Sequence, residues 1–363
     1  MAPVSIEQVM YSNYIKYDSL LRMTSEAFAG SNADVVNIYI DMHSLLQCIY
    51  AQDVMIENYT SITSSFINLC AHLRHYFRTR HRVESRIYLV HSSNNSNNQR
   101  QFLYGYNNKW IKTYTSNKKI TELIVANNNL LELLCPYLND IFFIDSTNEP
   151  NVVIFDRICK DELIYPEYPN IIISKDVMMY QIPAIKDNTV IYRPYRKDGV
   201  DMSFYINKAN CLNNYVETTR SLNASNPQLT ACLDTLSPEL LSLLIAMTNM
   251  PSRGIKSVYN IRTATAKIVD LLINSRIPNG YNTYLVIQTI LDYIQPRSEK
   301  FQSIEMNILN RFKAIDMVFQ HSLYMYTVES ADEHYLIRKI DNNAVREISE
   351  KYFAANPLDL NRL

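Results

Sequence analysis

One carboxylate stands where chemistry is expected, directly after a short apolar run near the start of the chain. Asp41 follows the β-branched segment VVNIYI, which is typical of a buried strand. In open α/β sheets the carboxyl ends of the strands face the ligand crevice, so an acid there is placed to bind a metal ion. The alternative is a structural role, in which the carboxylate caps the helix that follows.

Several familiar kinds of site are excluded by composition. The chain has 5 glycines in 363 residues, none within six residues of another, whereas Rossmann and Walker phosphate loops need several close together. The 6 cysteines lie more than twenty residues apart, with no Cys-x-x-Cys pair and no nearby histidine pair at zinc spacing. They predict reduced structural thiols in a cytoplasmic-type reducing compartment. The chain has no Gly-x-Ser-x-Gly elbow for a nucleophilic serine.

Charge and hydropathy narrow the choice of partners. The net charge is −1, so any contact with nucleic acid must come from a local patch. One basic cluster is either such a patch or the solvated end of a helix: Arg74, Arg78, Arg80 and Arg82. Since no apolar run reaches about 18 residues and no basic-then-apolar leader is present, we expect neither a membrane protein nor a secreted one. The 27 tyrosines and 37 asparagines are typical of AT-rich coding, as in many viruses and phages.

The apolar segments predict a parallel sheet covered by helices. Short apolar strands are predicted at 35–41, 86–91, 140–145, 170–174 and 189–193. Helices are predicted over 55–82 and 121–138, and this alternation is typical of a parallel sheet with both faces covered. Right-handed crossovers put successive parallel strand ends on one side, so we expect Asp41, His91 and Ser174 along one edge of the sheet.

The second part of the chain reads differently, because predicted strands disappear after about residue 206. Helical patterns follow from Ser237 and over 262–275, 281–294, 302–327 and 342–353. We therefore divide the chain into an α/β core over 1–206 and a helical region over 207–363.

Five segments, taken in order, resemble the motifs of the 5′-nuclease (flap endonuclease) branch of the PIN-like superfamily. Asp41 followed by MHSLL resembles the first motif, and RIYLVH followed by QRQFLYGYNNKW resembles the second. Glu149 before an apolar helix and IIISKDVMMYQI (171–182) resemble the next two. Residues 237–272 are similar to the family's turn that grips duplex DNA phosphates. The resemblance implies an α/β PIN-like core with carboxylates for two-metal phosphodiester cleavage.

The same motifs depart from the family where cleavage needs acids. Asp41, Glu149 and Asp176 stand where family acids stand, but His91 replaces the acid of the second strand. Three further acid positions hold other residues, namely Asn151, Val152 and Met178. No Asp or Glu occurs from 240 to 269, so the second metal has no ligands there. At most one Mg²⁺ or Mn²⁺ is implied, held by Asp41 and Asp176 with Glu149 assisting, and we expect no cofactor.

Each of these candidates also has a structural interpretation that the sequence leaves open. Glu149 beside Pro150 is also typical of a solvated loop acid. Asp176 suits an Asx turn or a helix cap as well as it suits a ligand. His91 is more typical of a hydrogen-bonded histidine at a sheet edge than of a ligand for a softer metal.

The DNA-binding turn is altered as well. Two glycines of the family's turn are replaced by Ser257 and Tyr259, whereas close approach of backbone N–H groups to phosphate needs glycine. Four cations remain near the implied phosphate position, namely Arg253, Lys256, Arg262 and Lys267. They are the residues through which we expect any contact with nucleic acid.

The sequence therefore predicts a catalytically inactive 5′-nuclease-like protein that serves as a nucleic-acid-binding or assembly subunit. The composition suits a viral or phage complex in the cytoplasm of an infected host cell. Its partners would be other proteins of that complex and DNA or RNA, with no membrane. Two alternatives remain open: a residual one-metal 5′-nuclease, and a purely structural interaction protein that binds no nucleic acid.

Overall fold

The structure is a computed structural model of the full chain. It describes residues 33–42, 44, 59–92, 118–146, 150–194, 196–197, 200–201, 203–219, 238, 241, 341–355 and 357–363. Within these ranges, no helix combines the length and the apolar character needed to cross a bilayer.

A six-stranded sheet forms the centre of the described part. Its first five strands are β1 (Val35–Asp41), β2 (Glu84–Ser92), β3 (Ile141–Ser146), β4 (Asn170–Ile173) and β5 (Thr189–Arg193). These five run parallel, and a short hairpin of β6 (Arg196–Lys197) and β7 (Val200–Asp201) leads to β8 (Phe204–Ile206), which pairs antiparallel with β5. The strand order is β3-β2-β1-β4-β5-β8. Because the order reverses beside β1, the ends of β1 and β4 form a topological switch point, where open α/β sheets bind ligands.

Helices cover both faces of this sheet. On one face lie α1 (Tyr59–Tyr76) and α2 (Lys118–Leu134), which connect β1 to β2 and β2 to β3. The opposite face carries α3 (Pro150–Ile164), α4 (Gln181–Ile185) and α5 (Cys211–Thr219). The strands are apolar and β-branched because both of their faces are buried.

Alternation along β1 and β2 assigns side chains to the two faces. Ile38 and Ile40 pack in the same core as α1 and α2, whereas the hydroxyl of Tyr39 donates to Asp161 of α3 at 3.0 Å. On the α3 face, Tyr39 stacks on Tyr88 of β2 with ring centroids 4.9 Å apart. These contacts fix which way every other residue of the two strands points.

The last part of the chain returns to the α1 face. A helix α6 (Asn342–Tyr352) begins at Asp341, whose side chain accepts hydrogen bonds from the backbone N–H groups of Asn343 and Ala344. Val345, Phe353 and Leu358 belong to the same apolar core as the sheet and α1. The segment 341–363 is therefore part of the packing of the α/β core.

The predicted α/β class with a mostly parallel sheet is confirmed. All five predicted strands exist, and Asp41, His91 and Ser174 lie at one edge, as expected. The helix predicted over 55–82 ends as an α-helix at Tyr76 and continues as a π-turn, Phe77–His81. The segments 237–272, 281–294 and 302–327 lie outside the described residues, apart from Pro238 and Leu241.

Candidate functional site

Asp41 lies at the carboxyl end of β1 with its side chain 2% exposed. Its Oδ1 accepts from the backbone N–H of Ser44 at 3.1 Å, the i to i+3 bond that is typical of a helix N-cap. Its Oδ2 accepts from the hydroxyl of Ser174 at 2.6 Å and from the hydroxyl of Ser44. Both carboxylate oxygens are therefore engaged by the protein itself.

The two serines extend this arrangement to the segment after β4. Ser44 Oγ accepts from the backbone N–H of Lys175 at 3.2 Å, and Ser174 Oγ accepts from that of Asp176 at 3.0 Å. Asp176 Oδ1 accepts from the backbone N–H of Met178 at 2.9 Å and so caps the short 3₁₀ helix Val177–Tyr180. The hydrogen bonds join the ends of β1 and β4 across the switch point.

Burial dominates the electrostatics of Asp41. It raises the pKa of the Asp41 carboxyl above its ordinary value of 3.8, because charge is poorly solvated there. The hydrogen bonds from Ser174 and Ser44 oppose this rise in pKa, and the negative charge of Asp176 adds to it. The Asp41 carboxyl is therefore hydrogen-bonded by Ser44 and Ser174 and shielded from solvent.

His91 makes a separate polar cluster at the carboxyl ends of β2 and β3. Its Nδ1 lies 3.0 Å from Oδ1 of Asp145, the residue paired with it in the strand register. When Nδ1 carries the proton it donates to this carboxylate, and when Nδ1 is unprotonated it accepts from the side-chain amide of Asn128. The side-chain amide of Asn128, on α2, lies 2.9 Å from His91 Nδ1 and donates to Asp145 Oδ2 at 3.4 Å.

A chain of buried polar groups continues from this cluster into the helical layer. Asn127 Nδ2 donates to Asn128 Oδ1 at 3.2 Å, and Thr63 Oγ1 of α1 donates to Asn127 Oδ1 at 2.8 Å. Buried amides need such partners because an unsatisfied polar group costs about 1–3 kcal/mol. The cluster thus fixes α1 and α2 against the edge of the sheet and orients the His91 ring.

The structure brings some of the predicted site residues together and separates others. Asp41 and Asp176 lie at the same strand ends and interact electrostatically. His91 shares the edge but faces α2, on the other side of the sheet from Asp41. Glu149 lies outside the described residues, as do Arg253, Lys256, Arg262 and Lys267.

The acids of the described part do not fit a two-metal cluster. Within those ranges, no three His, Cys, Asp or Glu side chains stand together as a group able to hold a metal. Asp41 is committed to the serines, Asp176 to a helix cap and Asp145 to His91. In this arrangement these carboxylates do not converge as the oxygen ligands of a divalent cation.

Several polar residues of the site were not predicted as site residues. Asp145 ends an apolar strand just as Asp41 does, and that signal was available in the segment IFFID. Asn128 gave no such signal, because it lies within a predicted helix and reaches the site only through a tertiary contact. Ser44 stands three residues after Asp41 in the segment MHSLL, at the spacing of a local cap.

The basic cluster, which begins in the last turn of α1 and continues after it, lies at the opposite, amino edge of the sheet. Arg74 is 4% exposed, donates to the carbonyls of Asn139 and Leu363 at 2.7 Å each, and so binds the segment 341–363 to the core. Arg78 forms a two-bond ion pair with Glu84. Arg80 and Arg82 are exposed, so half of this predicted phosphate patch has a structural role instead.

Comparison with known proteins adds a structural similarity only. No protein-family model matches the chain, and no curated protein matches it. Among solved structures, the chain is similar to a crystal structure of T5 D15 protein co-crystallized with metal ions, at 15% sequence identity and a TM-score of 0.44. The match covers 86% of this chain and 98% of that chain. Likeness at this level says nothing about function.

Proposed function

We propose that this protein is a non-cleaving relative of the 5′-nucleases, retained as a nucleic-acid-binding or assembly subunit of a larger complex. The observation that carries the proposal is the state of Asp41. Its carboxylate accepts three hydrogen bonds from two serines and is shielded from water. A catalytic carboxylate that binds a cation needs free lone pairs directed at the ion.

The sequence supports the same proposal from a second direction. No acid occurs between 240 and 269, where the family resemblance would put ligands of a second cation. Two-metal cleavage divides the developing charge between both ions, so loss of one site removes several kcal/mol of transition-state stabilisation. The proposal accordingly includes no resident cofactor.

One observation favours the alternative of a residual one-metal nuclease. Asp41 lies at the end of β1 and Asp176 just after β4, and the negative charge of Asp176 contributes to the raised pKa of Asp41. A cation that displaced the serine hydroxyls from Asp41 would have two carboxylates within its surroundings.

The deciding experiment is a cleavage assay of the purified full chain on flap, nicked and single-stranded DNA in Mg²⁺ or Mn²⁺. We expect no cleavage by the wild type and none by Asp41→Ala. Ser174→Ala serves as a sensitised variant, because it frees one lone pair of Asp41 without removing the carboxylate. Metal-dependent cleavage that is lost in Asp41→Ala would replace the proposal with the one-metal enzyme.

The proposed setting is a reducing compartment such as the cytoplasm of a host cell infected by a virus or phage. Four described cysteines are buried free thiols, which fits that setting: Cys70, Cys135, Cys159 and Cys211. Co-purification from the native source tests the assembly role. A stable protein partner together with no affinity for DNA or RNA would favour the purely structural interaction protein.

A further inference from the structure

A cation completes the line of polar residues at the switch point. The register of β1, β4 and β5, continued by one residue, places Asp41 opposite Ser174 and Ser174 opposite Arg193. The backbone N–H of Ser174 donates to Tyr192 O at 3.2 Å, which confirms that the strands are still paired there. We call Asp41, Ser174 and Arg193 the carboxyl row. Because neighbouring strands lie about 4.8 Å apart, the row spans roughly 10 Å.

All three side chains of the carboxyl row lie on the α3 face. Ile40, Ile173 and Tyr192, the residues before them, pack in the core on the α1 face, so alternation turns the row to the other face. Arg193 accordingly contacts Tyr180 and Phe204, which are absent from the α1-side core.

Arg193 is held in place by a hydroxyl and two aromatic rings. Its Nη1 donates to the hydroxyl of Tyr180, which lies 3.5 Å from Thr218 Oγ1. Its guanidinium carbon lies 5.8 Å from the ring centre of Tyr180 and 5.9 Å from that of Phe204. These contacts orient the guanidinium, and they restrict its motion before any ligand arrives.

Several other arginines of the described ranges are neutralised by a carboxylate. Arg74, Arg157 and Arg362 each contact a carboxylate, those of Asp140, Asp161 and Asp359 respectively. Arg193 has no carboxylate partner among the residues that the structure describes. A half-buried cation that is oriented by its neighbours and has no carboxylate partner in the described part of the chain, next to a topological switch point, favours an anionic ligand.

We propose that Arg193 binds a phosphate group of a nucleic-acid strand lying across the carboxyl ends of β1, β4 and β5. This inference rests on the proposed function, and it adds Arg193 as a residue that contacts the nucleic acid. Guanidinium groups bind phosphate through paired N–H donors. One N–H of Arg193 Nη1 donates to the Tyr180 hydroxyl, and the other N–H groups remain as donors for a phosphate. Free phosphate and pyrophosphate share this chemistry, so the experiment separates them from nucleic acid.

The test measures binding of a fluorescently labelled single-stranded oligonucleotide by anisotropy at several salt concentrations. Arg193→Gln removes the cation, and Arg346→Gln is the matched control because it removes one exposed cation on α6. For Arg193→Gln we expect weaker binding at low salt and a slope of log affinity against log salt that is less steep by about 0.7 to 1. Arg346→Gln should bind as the wild type does.

Two further variants protect the test against misfolding of Arg193→Gln. Arg193→Lys keeps the charge but loses the planar fork, so it should keep the salt slope and lose part of the affinity. Tyr180→Phe keeps the charge and removes the hydroxyl that orients it, and we expect a smaller loss of affinity at an unchanged slope.

The outcomes separate this inference from the proposed function. Oligonucleotide binding that is identical in the wild type, Arg193→Gln and Arg193→Lys overturns the inference and leaves the proposed function in place. If no oligonucleotide binds, thermal protection by pyrophosphate that is lost in Arg193→Gln would keep the phosphate site and remove nucleic acid as its ligand. Absence of both kinds of binding overturns the inference.

Discussion

Asp41 and His91 end neighbouring parallel strands, yet their side chains lie on opposite faces of the sheet. Asp41 pairs in register with Val90, so His91, one residue further, points the other way. Asp41 is bound by Ser44 and Ser174, and His91 by Asp145 and Asn128 of the α2 layer. The sheet thus separates two polar clusters that the sequence had placed at one edge.

This separation predicts which pairs of substitutions are coupled. Asn128→Ala and Asp145→Ala act on one cluster, so their effects on the free energy of unfolding should depart from additivity by about 0.5–3 kcal/mol. Asn128→Ala and Ser174→Ala act on opposite faces and should add within about 0.5 kcal/mol. Urea unfolding of the single and double variants measures both values. Strong coupling between Asn128 and Ser174 would contradict the two-cluster arrangement.

The burial of Asp41 predicts a pH dependence of stability with a definite sign. Its pKa is raised in the folded protein, so above about pH 4 the unfolded chain loses the proton first. The folded state then binds more protons than the unfolded state, and stability falls as the pH rises towards the folded pKa. Asp41→Asn removes this contribution. As the pH rises from about 4 to the folded pKa of Asp41, the free energy of unfolding should therefore fall less in the variant than in the wild type. Parallel pH profiles would show that the carboxyl is not shielded.

Arg74 and Arg80 belong to the same basic cluster, Arg74 within α1 and Arg80 after it, so their alanine variants can be compared directly. Arg74→Ala removes a buried cation that donates to two backbone carbonyls and forms an ion pair with Asp140 at 3.8 Å. We therefore expect the free energy of unfolding to fall by about 3 kcal/mol. Arg80→Ala removes an exposed charge and should change stability by less than about 0.5 kcal/mol. Thermal unfolding measures the difference, and limited proteolysis should show earlier cleavage near 341–363 only in Arg74→Ala. Equal stability of the two variants would remove the anchoring role of Arg74.

The cations at 253–267 remain a prediction from sequence. If Lys256 and Arg262 both contact phosphates, their joint replacement by Ala should flatten the salt slope of DNA binding by about two units. A gel-shift titration at two salt concentrations measures this change. An unchanged slope would leave Arg193 and the exposed cations after α1 as the candidates for phosphate contact.

The strands were predictable because each carries its own local signal, a β-branched apolar run that only a sheet buried on both faces explains. The parallel edge followed from the handedness of crossovers. The opposed faces of Asp41 and His91 were not predictable, because they depend on a register between β1 and β2 that no local pattern specifies.

Other features of the fold depend on tertiary contacts and therefore could not be predicted from local sequence. Arg82 and Asp140 adopt left-handed backbone angles, φ 56° and 55°, although neither is glycine and neither sequence context requires it. The helix over 342–353 was predicted from its amphipathic pattern, but such a pattern says only that one face is covered. Its seat beside α1 depends on Asn68, which accepts from the backbone N–H of Asp359 and donates to the carbonyl of Pro357.

The packing of the segment 341–363 against α1 affects when the core can be completed during synthesis. Asn68 and its partner Pro357 are 289 residues apart in the chain. At about 5 to 20 residues per second, a ribosome needs roughly 15 to 60 s to make the residues between them. During that interval the nascent sheet and α1 lack Val345, Phe353 and Leu358, which complete their apolar core. We therefore expect the emerging protein to depend on chaperones that shield apolar surface until the far end of the chain is made.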